Sequence, residues 1–297
     1  MKTSPALVSF LTVNYNQPEV TLELLHTLPK LSYSHWEIIV VDNGSTPSEL
    51  ERECEKLDRV KYVHSNENLG FAGGNNLGLE HCQGDFIFLI NNDTELPPDF
   101  LEPVISLFEQ DEKIGAVSPR IGYYHQPETL QYAGFTAVNP FTLRNRAIGN
   151  KEKDQPQYQK NYPTQYCHGA AMCVRKSVID KVGTMYHGYF LYYEELDWAT
   201  RIKKAGYQIW LCGKSFIWHK ESVSTGKNSP LKTYYLTRNR LLFARRNFEG
   251  FTLAAAWVYF IFIALPKNIF TLALQREWDL LRAFLRGFWW NVSHAPA

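Results

Sequence analysis

Residues 36–45 read WEIIVVDNGS, and the fold turns on how this stretch is built. Ile38 to Val41 form a continuous apolar run with no polar alternation, which suits a strand covered on both faces; such strands belong to parallel sheets. The run stops abruptly at Asp42-Asn43-Gly44-Ser45. Two other segments share the design: residues 7–13 (LVSFLTV), followed by Asn14-Tyr15-Asn16, and residues 85–91 (DFIFLIN), followed by Asn92-Asp93. Between the first two, Val20, Leu24, Leu25 and Leu28 recur at helical spacing behind Pro18, predicting a helix over residues 18–31 and a right-handed crossover. Residues 61–64 predict a further short strand and residues 71–82 a helix packed by Leu77, Leu79 and Cys82. The alternation predicts a Rossmann-like α/β sheet flanked by helices, in which a ligand sits beyond the carboxyl ends of the strands. Three polar clusters are therefore expected to meet at one crevice.

Residues 123–164 are rich in Tyr, Pro, Gln and Asn without a period, and read as long loops over the sheet. Beyond them come an expected strand (170–174), a short helix (177–182), a helix over 194–205 closed by Gly206, and two strands (209–212 and 215–219). Residues 1–230 are expected to form one domain, with a first half to about residue 120 and a second half after it. Residues 231–297 are expected to form a helical membrane-associating region. Residues 250–266 are uncharged and apolar, at the short end of the ~17–25 residues that cross a bilayer. Arg238, Arg240, Arg245 and Arg246 precede them; Lys267, Arg276, Arg282 and Arg286 follow, with Trp257, Trp278, Trp289 and Trp290 nearby. This pattern predicts interfacial anchoring, with Pro266 and the short run favouring a monotopic hairpin or in-plane helices over a span. A helix buried under the preceding domain is the alternative.

The formal net charge of +1 gives no electrostatic footprint for nucleic acid, and none is expected as a partner. The five cysteines contain no CxxC pair and read as free thiols of a reducing cytosol. The apolar run near the N-terminus lacks the length and cleavage site of a signal peptide and reads as a strand. No GxGxxG follows the first strand, Gly213-Lys214-Ser215 lacks the upstream glycine of a P-loop, and HExxH is absent.

Chemistry is expected at the polar strand ends. Asp93 stands where a hard-oxygen ligand for a divalent cation belongs, although Asn-Asn-Asp is also ordinary turn chemistry. Asp42 is placed to accept hydrogen bonds from a pyrimidine base edge or a ribose; an Asx turn is the plainer reading. The glycines of Asn68-Leu69-Gly70-Phe71-Ala72-Gly73-Gly74-Asn75 let a ligand approach the backbone, or simply make a turn before a helix. Glu194-Glu195 opens a helix beside the aromatic run 189–193; it supplies a general base, or merely two acidic residues favoured by the helix dipole. Asp197 and Arg201 read as a helix-surface ion pair. Arg238 and Arg240 suit either a diphosphate or anionic lipid.

In order and spacing, VxYN, VVDNGS, NLGFAGGNN, LINND and YYEELDWATR resemble family 2 glycosyltransferases of the GT-A fold, above all the rhamnosyltransferase-like branch, over roughly residues 6–245. The resemblance implies an inverting transfer from a nucleotide-sugar donor, dTDP- or UDP-linked, with Mg or Mn as cofactor. It implies donor contacts from Val13, Tyr15, Asp42, Asn43, Asn68, Gly70, Asn75, Asn92 and Arg238. Acceptor contacts fall to His168, Gly169, Tyr193 and Glu194, metal ligation to Asp93 and His219, and the base to Glu195. Asn91 stands where the family's DxD motif has its first carboxylate. The implied acceptor is a glycan or polyprenyl-linked sugar met at the cytosolic face of the inner membrane. A sugar nucleotidyltransferase would show a basic Gly-rich turn after its first strand, and none is present; a catalytically silent sugar-nucleotide or glycan-binding module is the other alternative.

Overall fold

The protein is described by a computed structural model covering residues 5–220 and 229–294. The first half runs β1 (Val8–Asn14), α1 (Pro18–Leu25), β2 (Trp36–Asn43), α2 (Leu50–Cys54), β3 (Val60–Ser65), α3 (Gly70–Leu79), β4 (Phe86–Ile90), β5 (Thr94–Glu95), α4 (Leu101–Gln110) and β6 (Ile114–Tyr123). It continues through β7 (Gln126–Tyr132), β8 (Tyr162–Pro163), β9 (Ala171–Arg175), α5 (Lys176–Val182), α6 (Glu194–Lys204) and β10 (Gln208–His219). Four helices close the chain: α7 (Pro230–Asn247), α8 (Gly250–Tyr259), α9 (Leu265–Leu274) and α10 (Trp278–Ser293).

The sheet is mixed, in the order β3-β2-β1-β4-β9-β6-β10-β5, with β7 on β6 and β8 on β10. β1 pairs in parallel with β2 and β4, whereas β9 enters antiparallel between β4 and β6. Alternate residues of each central strand serve opposite faces. Phe10, Ile38, Val40, Phe86 and Phe88 pack against Leu24, Phe100, Val104 and Phe108. Leu11, Ile39, Val41, Ile87 and Leu89 pack against Ala72, Trp198, Ile202, Leu242 and Phe243 on the other side. The buried strands thus carry apolar side chains on both faces, as the unbroken run at 38–41 requires.

Several expectations change. The first helix ends at Leu25, and a separate 3₁₀ turn, Leu28–Lys30, carries Pro29, which cannot continue an α-helix. Residues 123–164 are not simply loops: β7 folds back on β6, β8 pairs with β10, and bridges join Thr129 to Lys153 and Phe135 to Ala147. The two expected strands at 209–219 are one strand, β10, with a register shift between Cys212 and Phe216. Gly213 sits in that bulge, where a Cβ would lie 2.1 Å from the Lys160 carbonyl oxygen, so only glycine fits.

The apolar C-terminal run is longer than the sequence pattern indicates. Pro266 falls in the first turn of α9, and a π-helical turn, Phe260–Ala264, joins α8 to α9 as one 25-residue helix, Gly250–Leu274. Ala256, Phe260 and Ala264 face inward against Leu241, Ala244, Phe284 and Phe288. Phe251, Val258, Phe262, Phe270 and Leu274 stand exposed. α7 takes part in both layers, since Leu242 and Phe243 lie in the core beneath the sheet.

Candidate active site

A cleft of about 410 Å³ opens at the carboxyl ends of the central strands. Val13, Tyr15, Asn43, Asn68, Gly70, Asn91, Asn92 and Asp93 line it from the first half; His168, Gly169, Glu194, Glu195 and His219 line it from the second. The three polar strand ends therefore do converge. Asp42, Asn75, Tyr193 and Arg238 are not among the lining residues.

The strand ends are tied to one another before any ligand arrives. Asn14 Nδ2 donates to Asp42 Oδ1 (2.9 Å), Thr21 Oγ1 donates to Asn14 Oδ1 (2.9 Å), and Asn92 Nδ2 donates to Thr21 Oγ1 (3.0 Å). Asp42, expected against a base or ribose, is buried and already accepts from Asn14, Ser45 and Tyr62. Burial and this carboxylate push the Tyr62 phenol up. Its neighbour Asn43 does face the cleft and organises the loop into α3: Nδ2 donates to the Gly70 carbonyl (3.0 Å) and Oδ1 accepts from Leu69 N (2.9 Å). Asn75 points back along its own helix, donating to the Phe71 carbonyl (2.8 Å).

Asp93 and His219 are 126 positions apart in sequence, yet β5 and β10 pair antiparallel with His219 opposite Thr94. This register brings His219 Nε2 to 3.0 Å from Asp93 Oδ1. The other ring nitrogen, Nδ1, lies 2.8 Å from Gln131 Oε1, an acceptor, so Nδ1 carries a proton, and Nε2 is turned toward Asp93 with Asn91 Nδ2 3.4 Å away. Asp93 Oδ1 itself is buried and receives no hydrogen-bond donor. A bare ring nitrogen and a carboxylate oxygen at this distance repel unless a proton or a cation lies between them. Gln131, from β7, thus keeps a proton on Nδ1; it lies in the stretch read as loop, and no motif marks it.

His168 is held in one state. Ala170 N donates to its Nδ1 (3.1 Å), its ring stacks on Phe135 at 5.9 Å, and burial lowers its pKa to about 3. The ring is neutral at physiological pH, with its proton on Nε2.

Glu194 and Glu195 start α6 immediately after a strained loop. Phe190, Tyr192 and Tyr193 have φ of 64°, 70° and 76°, a region that costs a non-glycine residue about 1–3 kcal/mol. The strain delivers Glu194 and Glu195 to the cleft at a helix start. Burial, then the neighbouring Glu195 charge, raise Glu194 well above the usual carboxylate range, and one of its oxygens, Oε2, has no hydrogen-bond partner. Burial raises Glu195 to about 7. Tyr193, expected at the acceptor, turns its hydroxyl to the Leu143 carbonyl (3.2 Å) and its ring to Phe243.

The arginines of α7 serve the protein itself. Arg238 donates to the Gly188 and Tyr189 carbonyls, and Arg240 to that of Thr142. Both guanidinium groups are buried on main-chain carbonyls, away from the cleft lining. The expected surface pair of Asp197 and Arg201 is made at 3.1 Å, but Asp197 is buried and also meets Arg246 and Asn247.

The geometry has counterparts. A curated hexosyltransferase of low-salt glycan biosynthesis from Haloferax volcanii is 27% identical over 243 residues, 79% of this chain and 74% of that protein. An N-acetylglucosaminyl-diphospho-decaprenol L-rhamnosyltransferase of Mycobacterium tuberculosis is 22% identical over 213 residues, 64% of this chain and 68% of its own length. A solved mannosyltransferase from Pyrobaculum calidifontis, in complex with GDP-Man and Mn2+, superposes with a TM-score of 0.59 at 18% identity, covering 96% of this chain and 87% of that one. Its likeness is one of fold, the GT-A arrangement of a mixed sheet between helices. The family model described as "Glycosyl transferase family 2" matches residues 9–183, well over half of the sequence. On that match, this chain belongs to glycosyl transferase family 2.

Proposed function

We propose that the protein transfers a sugar, with inversion, from a nucleoside-diphosphate donor to a hydroxyl of a lipid-linked or polysaccharide acceptor. The observation that carries this reading is Glu195: a carboxylate at the cleft, raised to about 7, is half-ionised near neutral pH and suited to take a proton from an attacking hydroxyl. Glu194 and the neutral His168 hold the acceptor; Val13, Tyr15, Asn43, Asn68, Gly70 and Asn92 hold the donor. Asp42 and Asn75 support that donor surface from behind.

Asp93 and His219 fit a divalent cation. Among the described residues no group of three or more His, Cys, Asp or Glu gathers. A cation of the Mg or Mn kind needs no more than one or two protein ligands when phosphates and waters complete its shell. The unsatisfied Asp93 Oδ1 and His219 Nε2 provide that pair. When bound, the ion supplies neutralisation of the charge that grows on the leaving diphosphate. Asn91 in place of a carboxylate leaves Asp93 as the anionic ligand of the pair.

The resemblance to the rhamnosyltransferase-like branch supports dTDP-rhamnose as the donor, with a UDP-hexose second, and the named acceptor of the mycobacterial relative supports a polyprenyl-linked glycan. The exposed apolar row Phe251, Val258, Phe262, Phe270 and Leu274, beside Lys267, Arg276, Arg282 and Arg286, supports an in-plane seat on the cytosolic face of a membrane. Incubation with Mn2+ and a panel of UDP-, dTDP- and GDP-sugars, with and without N-acetylglucosaminyl-diphospho-decaprenol, tests the reading. Acceptor-stimulated release of nucleoside diphosphate is expected. Release of pyrophosphate would make the protein a nucleotidyltransferase, and tight donor binding without turnover a silent binding module.

A further inference from the structure

The loop that delivers the two glutamates makes few hydrogen bonds of its own. Positive φ at residues 190, 192 and 193 keeps the carbonyls before Tyr193 out of any helix or strand ladder, and orphaned carbonyls in a protein interior are costly. Two residues of α7 satisfy most of them. The Asn239 amide, fully buried, donates to the carbonyls of Tyr189 (2.9 Å), Leu191 (2.7 Å) and Tyr192 (2.8 Å). Arg238 takes the carbonyls of Gly188 and Tyr189, and its Nε donates to Asn239 Oδ1 (2.7 Å), which fixes the direction in which the amide points. From the other side, the Phe190 carbonyl accepts from Phe71 N at 2.6 Å, and the Tyr193 carbonyl accepts from Asp197 N at 3.0 Å. Every carbonyl from 188 to 193 has a donor, and the Asn239 amide reaches three of them.

We propose that Asn239 is a positioning residue for the reaction: through the carbonyls of residues 189, 191 and 192 it sets where Glu194 and Glu195 stand in the cleft. It touches neither substrate nor reacting atoms. The inference rests on the reading of Glu195 as the base. Only a side chain with two N–H groups and a third-atom acceptor meets this geometry. An aspartate of the same shape has no donor and would face three carbonyls with a negative charge; alanine removes the amide's donors, and serine keeps one donor, set one bond further back.

The same clasp joins the cleft to the C-terminal layer. Asn291 of α10 donates to the Arg238 carbonyl (2.9 Å), and Arg245 of α7 donates to the Asn291 carbonyl (3.0 Å), so the α7–α10 pair holds the residue that holds the loop.

The test compares Asn239→Ala, Asn239→Ser and Asn239→Asp with Glu195→Gln in the full chain, using dTDP-rhamnose, or whichever donor turns over in the panel, and N-acetylglucosaminyl-diphospho-decaprenol. Nucleoside-diphosphate binding by calorimetry counts the folded sites. Per folded site, kcat is expected to fall at least 30-fold in Asn239→Ala and further in Asn239→Asp, with Asn239→Ser between alanine and wild type, and nucleotide affinity within about threefold of wild type. The midpoint of the rise of kcat with pH is expected to move below its wild-type value, because a loosened loop admits water to Glu195. A structural role alone would lower thermal stability and the number of binding sites but leave kcat per site and that midpoint unchanged, and this outcome overturns the proposal. Full activity of Glu195→Gln would instead remove the base assignment, so the two failures are told apart.

Discussion

Glu194 and Glu195 are adjacent and chemically alike, yet the fold gives them different surroundings. Glu194 is the more deeply buried, and desolvation, then its neighbour's charge, raise it well above the usual carboxylate range; Glu195, raised to about 7, is the one that ionises in the working range. Replacing Glu195 with glutamine keeps shape and removes the base, so kcat should drop by about 10²–10⁴ while donor affinity measured by calorimetry stays within a few-fold. The pH profile follows from the sign of the shift. A base must be deprotonated to act, so kcat/KM should climb about tenfold per pH unit below pH 7 and level off above it. A profile flat from pH 5 to 8 in the wild type would exclude Glu195 as the titrating base. The places of Asp93, Glu195 and His219 in the cleft were legible because each ends or follows a strand or opens a helix. Gln131 and Asn239 were not, since their meaning lies in partners 88 and 47–50 positions away.

At the scale of elements, the glycine-rich stretch 68–75 had two readings, ligand approach or a turn before a helix, and the structure adds a third. Gly70, at φ +71°, lies where a Cβ would be 2.3 Å from the Phe190 carbonyl oxygen, so the glycine lets α3 meet the glutamate-bearing loop. Gly78 lets the same helix press onto the sheet: a Cβ there would lie 2.2 Å from Leu11 Cδ1 and 2.8 Å from Val41 Cγ2. Gly78→Ala, although it raises helix propensity, should therefore destabilise the protein by about 1–3 kcal/mol in denaturant melts, through overpacking. A neutral or stabilising effect would mean that α3 sits further from β1 and β2 than the contacts state. β7 escaped the sequence because its outer half, Gln126 to Glu128, is exposed and polar, so no apolar alternation announces it.

Among the described residues, exposed apolar side chains gather on the C-terminal helices. Phe262 and Phe270 are 69% and 70% exposed on the 25-residue helix, while its opposite row is sealed against α7 and α10. A helix packed lengthwise on its own domain lies on a bilayer more readily than it crosses one, and the nearby arginines favour anionic headgroups. Sedimentation with phosphatidylglycerol vesicles at low salt should carry the protein down, more so than with phosphatidylcholine. Phe262→Asp with Phe270→Asp should weaken this by about a hundredfold or more, at roughly 1.5–3 kcal/mol per buried phenylalanine, with nucleotide binding intact. Wild-type protein that stays in the supernatant with anionic vesicles would end the membrane proposal.

The sequence by itself determined the strands that build the parallel half of the sheet, the polar ends where chemistry collects and the family, because continuous apolar runs and short motifs are local properties of the chain. It also marked the apolar C-terminal run. The tertiary structure alone decided which polar residues reach the cleft: Asp42 and Arg238 are consumed by internal partners, while Gln131 is drawn in by strand pairing. It also decided that α7 braces the glutamate-bearing loop and that the apolar run continues through Pro266 as one helix. The physical reason is common to all of these. A buried polar group is defined by the partner that satisfies it, and that partner comes from a distant segment which only the packed fold brings near.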